Sequence, residues 1–348
     1  MVVSFLLLFL SAVLFWQQGS YIGELAMSFL PYFVLLFLLL LIRWVVQLWK
    51  LLYRKPNKPK RKHKLAPFFV LSFGLLFFLS SARVQNFYHQ ELLTSPASTH
   101  GIKVLFSNLY KGNLNFEAIK TQILTENPDV ILFVEFSEAH KAGLQAFFDE
   151  HYPYMNTTTW SKIFVGSVVF SKYPIENLAD DFEQGRRRYG YFKLEKNQIP
   201  YYFYLVHTAS PVSPSFFLKR NTQLQQLQSE FLELHQPQRG VDAKVIMVGD
   251  FNISPWSKYY QAFAKGFAPQ LENATRSFPM LFTWHLGTML QIHEEMTFVP
   301  EALKPLAHLL PLRSHIDHLF LSPAVNLYAL KRIQIPGSDH SGFLFSVE

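Results

Sequence analysis

The chain has 348 residues, of which 49% are hydrophobic, 16% aromatic and only 16% charged, against roughly 25% charged in an average globular chain. That balance excludes a disordered chain and points to membrane-embedded sequence beside a folded domain. The net charge of +7 is local: residues 1–82 hold nine basic residues and one acid, the remainder is near neutral, and the absence of cysteine excludes disulfides, thiolate metal sites and a cysteine nucleophile.

Three apolar runs open the chain. Val2–Trp16 is uncharged but only 15 residues long, short of the ~17–20 residues a membrane span needs. A cleaved signal peptide is the alternative there. The run lacks a basic start and is followed by further apolar sequence, which favours a retained helix. Leu25–Ile42, continued past Arg43 to Trp49, and Leu65–Ala82 are uncharged runs of 18 residues each and pass the length test. Two or three transmembrane helices are therefore expected within residues 1–82. Between the second and third runs, Lys50–Lys64 carries eight Lys or Arg residues. Such a short basic connection belongs on the cytoplasmic face, where anionic headgroups suit it better than nucleic acid does. Trp44, Trp49 and Tyr53 near that face fit interfacial anchoring. The third run then leads outward, so everything beyond it is expected on the extracytoplasmic side of the cell membrane (the periplasm in a Gram-negative cell).

Residues 83–100 lose the apolar pattern and read as a linker. From Ile102 onward strand-like and helix-like stretches alternate. Ile102–Ser107, Val130–Val134, Val165–Ser171, Tyr201–Val206, Val245–Val248, Ile316–Leu321 and Phe343–Val347 read as strands. Asn115–Asn127, Glu138–Phe148 and Pro214–His235 have apolar residues at helical spacing. The class is α/β, with two or more packed layers in a domain spanning 101–348. Polar residues stand at the strand ends: Asn108, Glu135, His207, Asp250 and Asn252, Asp317, then Asp339 and His340. Strand ends converge on one rim of a sheet, where sites commonly form. Each residue alone has a plainer reading. Asn108 suits a turn, Glu135 a helix cap, Asp250 and Asn252 an Asx turn, and a lone histidine is more often structural.

Their joint order changes that weighing. VLFSNLYKGN around Asn108, PDVILFVEF around Glu135, GSVVFSKYPI at Gly166–Ile175, YLVHTASP around His207, MVGDFN at Met247–Asn252, SHIDHLFLS around Asp317 and GSDHSG around Asp339 follow one another. In this order they resemble the endonuclease/exonuclease/phosphatase family of metal-dependent phosphoesterases, over residues 101–348. The resemblance implies a four-layer α/β sandwich, two packed β-sheets flanked by helices, with the site at one edge. Two positions depart from the family pattern. Val134 stands where relatives often carry Gln, which bears on a contact around the metal ligand rather than on the ligand itself. His318 stands where many carry an aromatic.

Phosphate-ester hydrolysis needs the phosphoryl charge neutralised, a water deprotonated and the leaving alkoxide stabilised. A hard divalent ion such as Mg²⁺ or Mn²⁺ suits an oxygen ligand set, and the lack of cysteine agrees. The resemblance implies Glu135 as principal metal ligand, helped by Asn108 and Asp339. It implies Asp250 as the residue that orients or deprotonates the attacking water. Asn252 can offer an amide N–H to a phosphoryl oxygen, His207 and His340 are the other candidates for proton transfer or phosphate binding, and the resemblance implies that Asp317 holds the His340 ring. Arg186, Arg187 and Arg188 are weighed as an anion site against a solvated loop beside Asp180, Asp181 and Glu183, and the loop is favoured slightly. Arg220 reads as a surface or packing residue, and Trp284 as either site rim or core. The expected partners are membrane lipids and a phosphate-ester substrate, either a lipid headgroup or nucleic acid. A catalytically inactive membrane-bound binding domain of the same fold is the alternative.

Overall fold

The computed structural model describes residues 2–53, 64–88, 101–156, 166–179, 189–235, 243–278, 281–293 and 300–348. Most of the basic loop (54–63), most of the linker (89–100) and the Asp180–Arg188 segment lie outside the described residues. The chain divides into two compact units, Met1–His89 with Pro255–Lys258, and Gln90–Ser254 with Tyr259–Glu348.

The first unit contains α1 (Val2–Trp16), α2 (Tyr21–Met27), α3 (Leu30–Leu52) and α4 (Ala66–Gln85). The run expected to begin at Leu25 is broken at Ser28–Phe29. Pro31 fits the first turn of α3, where a missing N–H costs nothing, and the helix then runs through Arg43 and Lys50 to Leu52. At 23 and 20 residues α3 and α4 are about 35 and 30 Å long, enough for a ~30 Å hydrocarbon layer. Both are long and apolar enough to cross a membrane, whereas α1, at 15 residues, is shorter. They pack through aromatic side chains: Trp44 stacks on Phe69 at 4.2 Å, and its indole N–H donates to Ser4 Oγ at 3.1 Å. Leu35, Leu39 and Ile42 on α3 and Leu71, Leu75 and Phe78 on α4 remain exposed.

The second unit carries the strands. In chain order these are β1 (Ile102–Asn108), β2 (Val130–Phe136), β3 (Tyr154–Met155), β4 (Gly166–Ser171), β5 (Ile175–Ala179), β6 (Tyr189–Lys196), β7 (Ile199–His207), β8 (Lys244–Asp250), β9 (Glu272–Asn273), β10 (Trp284–His285), β11 (Arg313–Ser314), β12 (Asp317–Leu321), β13 (Leu327–Gln334) and β14 (Ser341–Val347). The helices are α5 (Phe116–Glu126), α6 (Glu138–His151), α7 (Pro214–Leu234), α8 (Lys258–Phe267), α9 (Leu286–Ile292) and α10 (Lys304–Ala307). One six-stranded sheet has the order β13-β14-β1-β2-β4-β3, the other β5-β6-β7-β8-β12-β9, with β10-β11 as a short hairpin pair.

Residue parity builds the layers. Alternate side chains of a strand face opposite sides, so a strand buried on both faces is apolar throughout. Val104, Phe106, Leu132 and Val134 face a core shared with Phe203, Leu205, Ile246, Val248 and Leu319 of the second sheet. Their neighbours Leu105, Ile131 and Phe133 face outward onto Ile119, Ile123, Leu144 and Phe148 of α5 and α6. On the far side Tyr204 packs on Phe231 of α7, and Phe231 meets Phe267 of α8. Helices, sheet, sheet and helices form the expected four layers.

Candidate active site

Strand direction brings the polar residues to one edge. β1 and β2 are parallel, as are β7 and β8, and Asn108, Glu135, His207 and Asp250 sit at or next to their C-terminal ends. β14 runs antiparallel to β1, and β12 antiparallel to β8, so these strands contribute from their starts. Asp317 opens β12 and pairs in register with Asp250, which itself pairs with His207. Asp339 and His340 immediately precede β14.

Local backbone devices aim the side chains. Glu135 occupies a bulge where the β2–β4 register slips between Val134 and Phe136, and its φ is +55°. A bulge turns one side chain out of strict alternation, and a left-handed non-glycine residue there costs of order 1–3 kcal/mol. Asn252 is also left-handed, at φ +50°, a conformation Asn tolerates better than most. Gly249 in the GDFN motif has a steric role. A Cβ there would lie 2.0 Å from the Val206 carbonyl oxygen, so only glycine lets β7 and β8 approach closely enough to align His207 with Asp250.

Asn108 joins two of the carboxylates. It is fully buried, and its Nδ2 donates to Glu135 Oε1 at 3.0 Å and to Asp250 Oδ2 at 3.1 Å. Its own Oδ1 accepts from the Tyr110 N–H at 3.0 Å. Glu135 Oε2 accepts from the Lys111 N–H at 3.1 Å, and His207 Nε2 lies 3.9 Å from Oε1. Burial alone raises the Glu135 pKa, but the His207 charge, the Asn108 bond and His340 outweigh it and hold the carboxyl below its usual range. Asp250 Oδ1 accepts from the Asn252 N–H at 2.8 Å. Burial, reinforced by the Asp317 charge, pushes Asp250 up to about 8.

His340 bridges the remaining acids. Its Nδ1 is 3.0 Å from Asp317 Oδ2, and its Nε2 is 3.7 Å from Asp250 Oδ2. Burial disfavours the imidazolium, yet Asp317 and Asp250 together raise its pKa well above the ordinary value. The Asp317 N–H donates to Thr283 Oγ1 at 3.1 Å, which fixes the start of β12. Asp317 Oδ1 is buried without a hydrogen-bond partner among the described residues.

Two expected residues are arranged differently from the simplest expectation. Asn252 spends one of its two amide N–H donors on the Thr208 carbonyl at 3.0 Å, leaving one for a ligand. Asp339 is tied to the far side of the cluster: Trp284 Nε1 donates to its Oδ2 at 3.0 Å and His293 Nε2 lies 3.4 Å away. Burial raises the Asp339 pKa, and His293, His340 and Trp284 more than offset it. Trp284 therefore belongs to the site. His293 and Thr283 belong to it as well, and neither carries a motif that sequence reading could use. Arg220 is buried rather than on the surface, and its guanidinium donates to the Asn252 carbonyl at 2.9 Å. His318 is a buried packing residue filling an aromatic slot. Its Nε2 lies 2.9 Å from the Ile253 carbonyl and its ring packs beside Tyr260 and Phe251. Burial lowers its pKa to about 4, so it is neutral.

The donor set fits a hard divalent cation. Four buried or half-buried carboxylates share one pocket edge, which is costly without a counter-charge. Atoms of Asp250, Asp317 and His340 lie within 4.8 Å of one another. The Asp317–His340 hydrogen bond already accounts for that compactness. Glu135 with Asn108 is the better candidate set, because each Glu135 oxygen keeps a second lone pair beyond its one hydrogen bond.

Residues 105–340 match the family model described as Endonuclease/Exonuclease/phosphatase family. Among solved structures, humanized D. rerio TDP2 aligns at TM-score 0.53 and 15% identity, covering 72% of this chain and 100% of that one. D. rerio TDP2 complexed with single strand DNA product gives TM-score 0.53 and 16% identity over 71% of this chain and 99% of that one. SmcL gives TM-score 0.51 and 15% identity over 72% of this chain and 100% of that one. At such identities the likeness is one of fold. No curated protein matches the chain.

Proposed function

The chain belongs to the endonuclease/exonuclease/phosphatase family and is a metal-dependent phosphoric ester hydrolase, and from that premise we propose a membrane-anchored, Mg²⁺-dependent enzyme that cleaves a phosphodiester. The observation that carries the reading is the continuous hydrogen-bonded set Glu135–Asn108–Asp250, joined through His340 to Asp317.

Glu135, with Asn108 and Asp339 in support, holds the cation. When bound, it withdraws charge from the phosphoryl group and stabilises the leaving oxygen. Asp250 is the base that takes a proton from the attacking water. Its carboxylate is fixed by the Asn252 N–H and Asn108 Nδ2, and burial beside Asp317 raises its proton affinity, as a base requires. His340, kept protonated and oriented by Asp317, presents an N–H toward the phosphoryl oxygens, where preorganised donors stabilise developing charge. The free amide N–H of Asn252 serves the same purpose, and His207 is the second proton-transfer group. Residues 1–82 anchor the enzyme through α3 and α4, with the basic loop cytoplasmic and residues 101–348 outside.

The test is hydrolysis of bis(p-nitrophenyl) phosphate by the purified full chain with Mg²⁺, with Mn²⁺ and with EDTA. Turnover that EDTA removes and Mg²⁺ restores supports the reading. Turnover insensitive to EDTA, or none with either metal, sinks it.

A further inference from the structure

Three described segments leave the site edge and are fastened to it. Residues 109–115 follow Asn108, and Lys111 N–H binds Glu135. Residues 208–220 follow His207; Thr208 accepts from Asn252 and Arg220 donates to it. Residues 300–312 return to β10, where the Leu286 N–H donates to the Leu312 carbonyl beside Trp284. Gly287 lets this last segment close up, since a Cβ there would sit 2.4 Å from the Ala307 carbonyl oxygen.

These segments carry the most exposed apolar side chains of the second unit. Among its described residues, the large apolar side chains more than 60% exposed are Leu114 (64%), Val212 (68%), Leu218 (62%) and Leu309 (66%), and all four lie on them. Exposed apolar side chains that fall on the segments bordering a site, rather than across the rest of the domain, suit a ligand with an apolar part. The exposed Lys or Arg residues described on or directly next to these segments are Lys111, Lys219 and Arg313, and Lys219 lies over the exposed Phe216 ring at 6.0 Å. A nucleic-acid surface needs the opposite balance, because phosphate neutralisation by many cations supplies its affinity. Apolar side chains with a few lysines match the interface between acyl chains and anionic headgroups. The same chain carries two helices long and apolar enough to cross a bilayer.

We propose that this rim seats the apolar part of a lipid phosphodiester, so that the substrate of the site is a bilayer lipid rather than nucleic acid. The inference rests on the hydrolase reading above. Water oxygen bonds to phosphorus, one P–O ester bond breaks, and the water's proton is delivered to the departing oxygen. The products are an alcohol and a phosphate monoester, one of them still lipid-bound.

The full chain in nanodiscs of phosphatidylcholine and phosphatidylglycerol is assayed for lipid hydrolysis, beside a single-stranded oligonucleotide and bis(p-nitrophenyl) phosphate. The triple variant Leu114→Ser, Val212→Ser, Leu309→Ser is assayed in parallel. Lipid cleavage in preference to the oligonucleotide, with the lipid-to-nitrophenyl ratio falling about tenfold in the variant, is expected. Cleavage of the oligonucleotide but not lipid, or an unchanged ratio in the variant, overturns the lipid assignment while leaving the hydrolase intact. Inertness toward all three substrates overturns both. Because the chain is free of cysteine, a fluorophore at Leu309→Cys gives a reading independent of turnover. Quenching by spin-labelled lipid is expected there and not at Leu124→Cys on α5, and equal exposure at both overturns the proposal.

Discussion

His340 and Asp317 meet across two different sheets: the ring precedes β14 of one, the carboxylate opens β12 of the other, and Nδ1 lies 3.0 Å from Oδ2. The pair fixes the imidazole orientation and leaves Nε2 facing Asp250 at 3.7 Å. Asp317→Asn keeps the shape but removes the charge that holds His340 protonated. Turnover is expected to fall about a hundred- to ten-thousand-fold with little change in KM, the range for a misdirected proton-transfer group. Steady-state kinetics at saturating Mg²⁺ check this, and a variant within a few-fold of the parent removes His340 from the reaction.

Glu135 tests the metal assignment. Glu135→Gln is nearly isosteric and keeps an oxygen acceptor for Asn108 or Lys111, so the fold is expected to persist. Mg²⁺ affinity, read by calorimetry and by the concentration of Mg²⁺ giving half-maximal turnover, is expected to weaken by an order of magnitude or more. Unchanged Mg²⁺ dependence transfers the ligand role to the Asp250–Asp317–His340 group.

Much of this site is legible in the sequence because its residues abut strand ends, and strand ends share an edge once strand direction is known. Asn108, Glu135, His207, Asp250 and Asp317 fall where that logic puts them. Trp284 and His293 do not, because their links to Asp339 cross 55 and 46 residues with no repeating pattern. The fold shows the same divide. The strands β1, β2 and β8 are apolar on both faces and read clearly. β6 and β13 carry lysine or arginine on partly exposed positions, and α8 is short and rich in aromatics, so tertiary packing rather than local pattern decides them.

Trp284 orients Asp339 through a single N–H at 3.0 Å. Trp284→Phe removes that donor and keeps most of the ring. Partners of this kind commonly alter metal affinity or activity by about ten- to a hundredfold. The expected signature is a higher Mg²⁺ requirement, partly relieved by excess Mg²⁺. Loss of thermal stability with an unaltered Mg²⁺ requirement instead makes Trp284 a packing residue.

The raised pKa of Asp250 has a consequence for stability. The unfolded chain releases this proton near the ordinary value of 3.8, whereas the folded metal-free protein holds it to about 8. The folded state therefore binds the extra proton between these values, and stability falls as pH rises through that window. His340 has the opposite charge type: its raised pKa stabilises the fold fully below the ordinary 6.5 and the gain disappears only as pH passes the raised value. Asp250→Asn removes the first effect and is expected to raise the melting temperature in EDTA by a few degrees at about pH 8. The gain at about pH 4 should be much smaller, while hydrolysis is abolished. A destabilised variant at the higher pH contradicts the buried-acid account.

The anchor is tested without relying on activity. A cysteine-free chain makes single substitutions such as Lys64→Cys and Lys331→Cys clean reporters. Lys64 borders the basic loop, and Lys331 lies on β13 with its side chain 57% exposed. If α3 and α4 span the membrane with the loop inside, a membrane-impermeant maleimide added to intact spheroplasts labels position 331, and position 64 only after lysis. Labelling of 64 but not 331 in intact spheroplasts inverts the topology. Recovery of the chain in the soluble fraction removes the anchor, and with it the bilayer that would hold a lipid substrate beside the site.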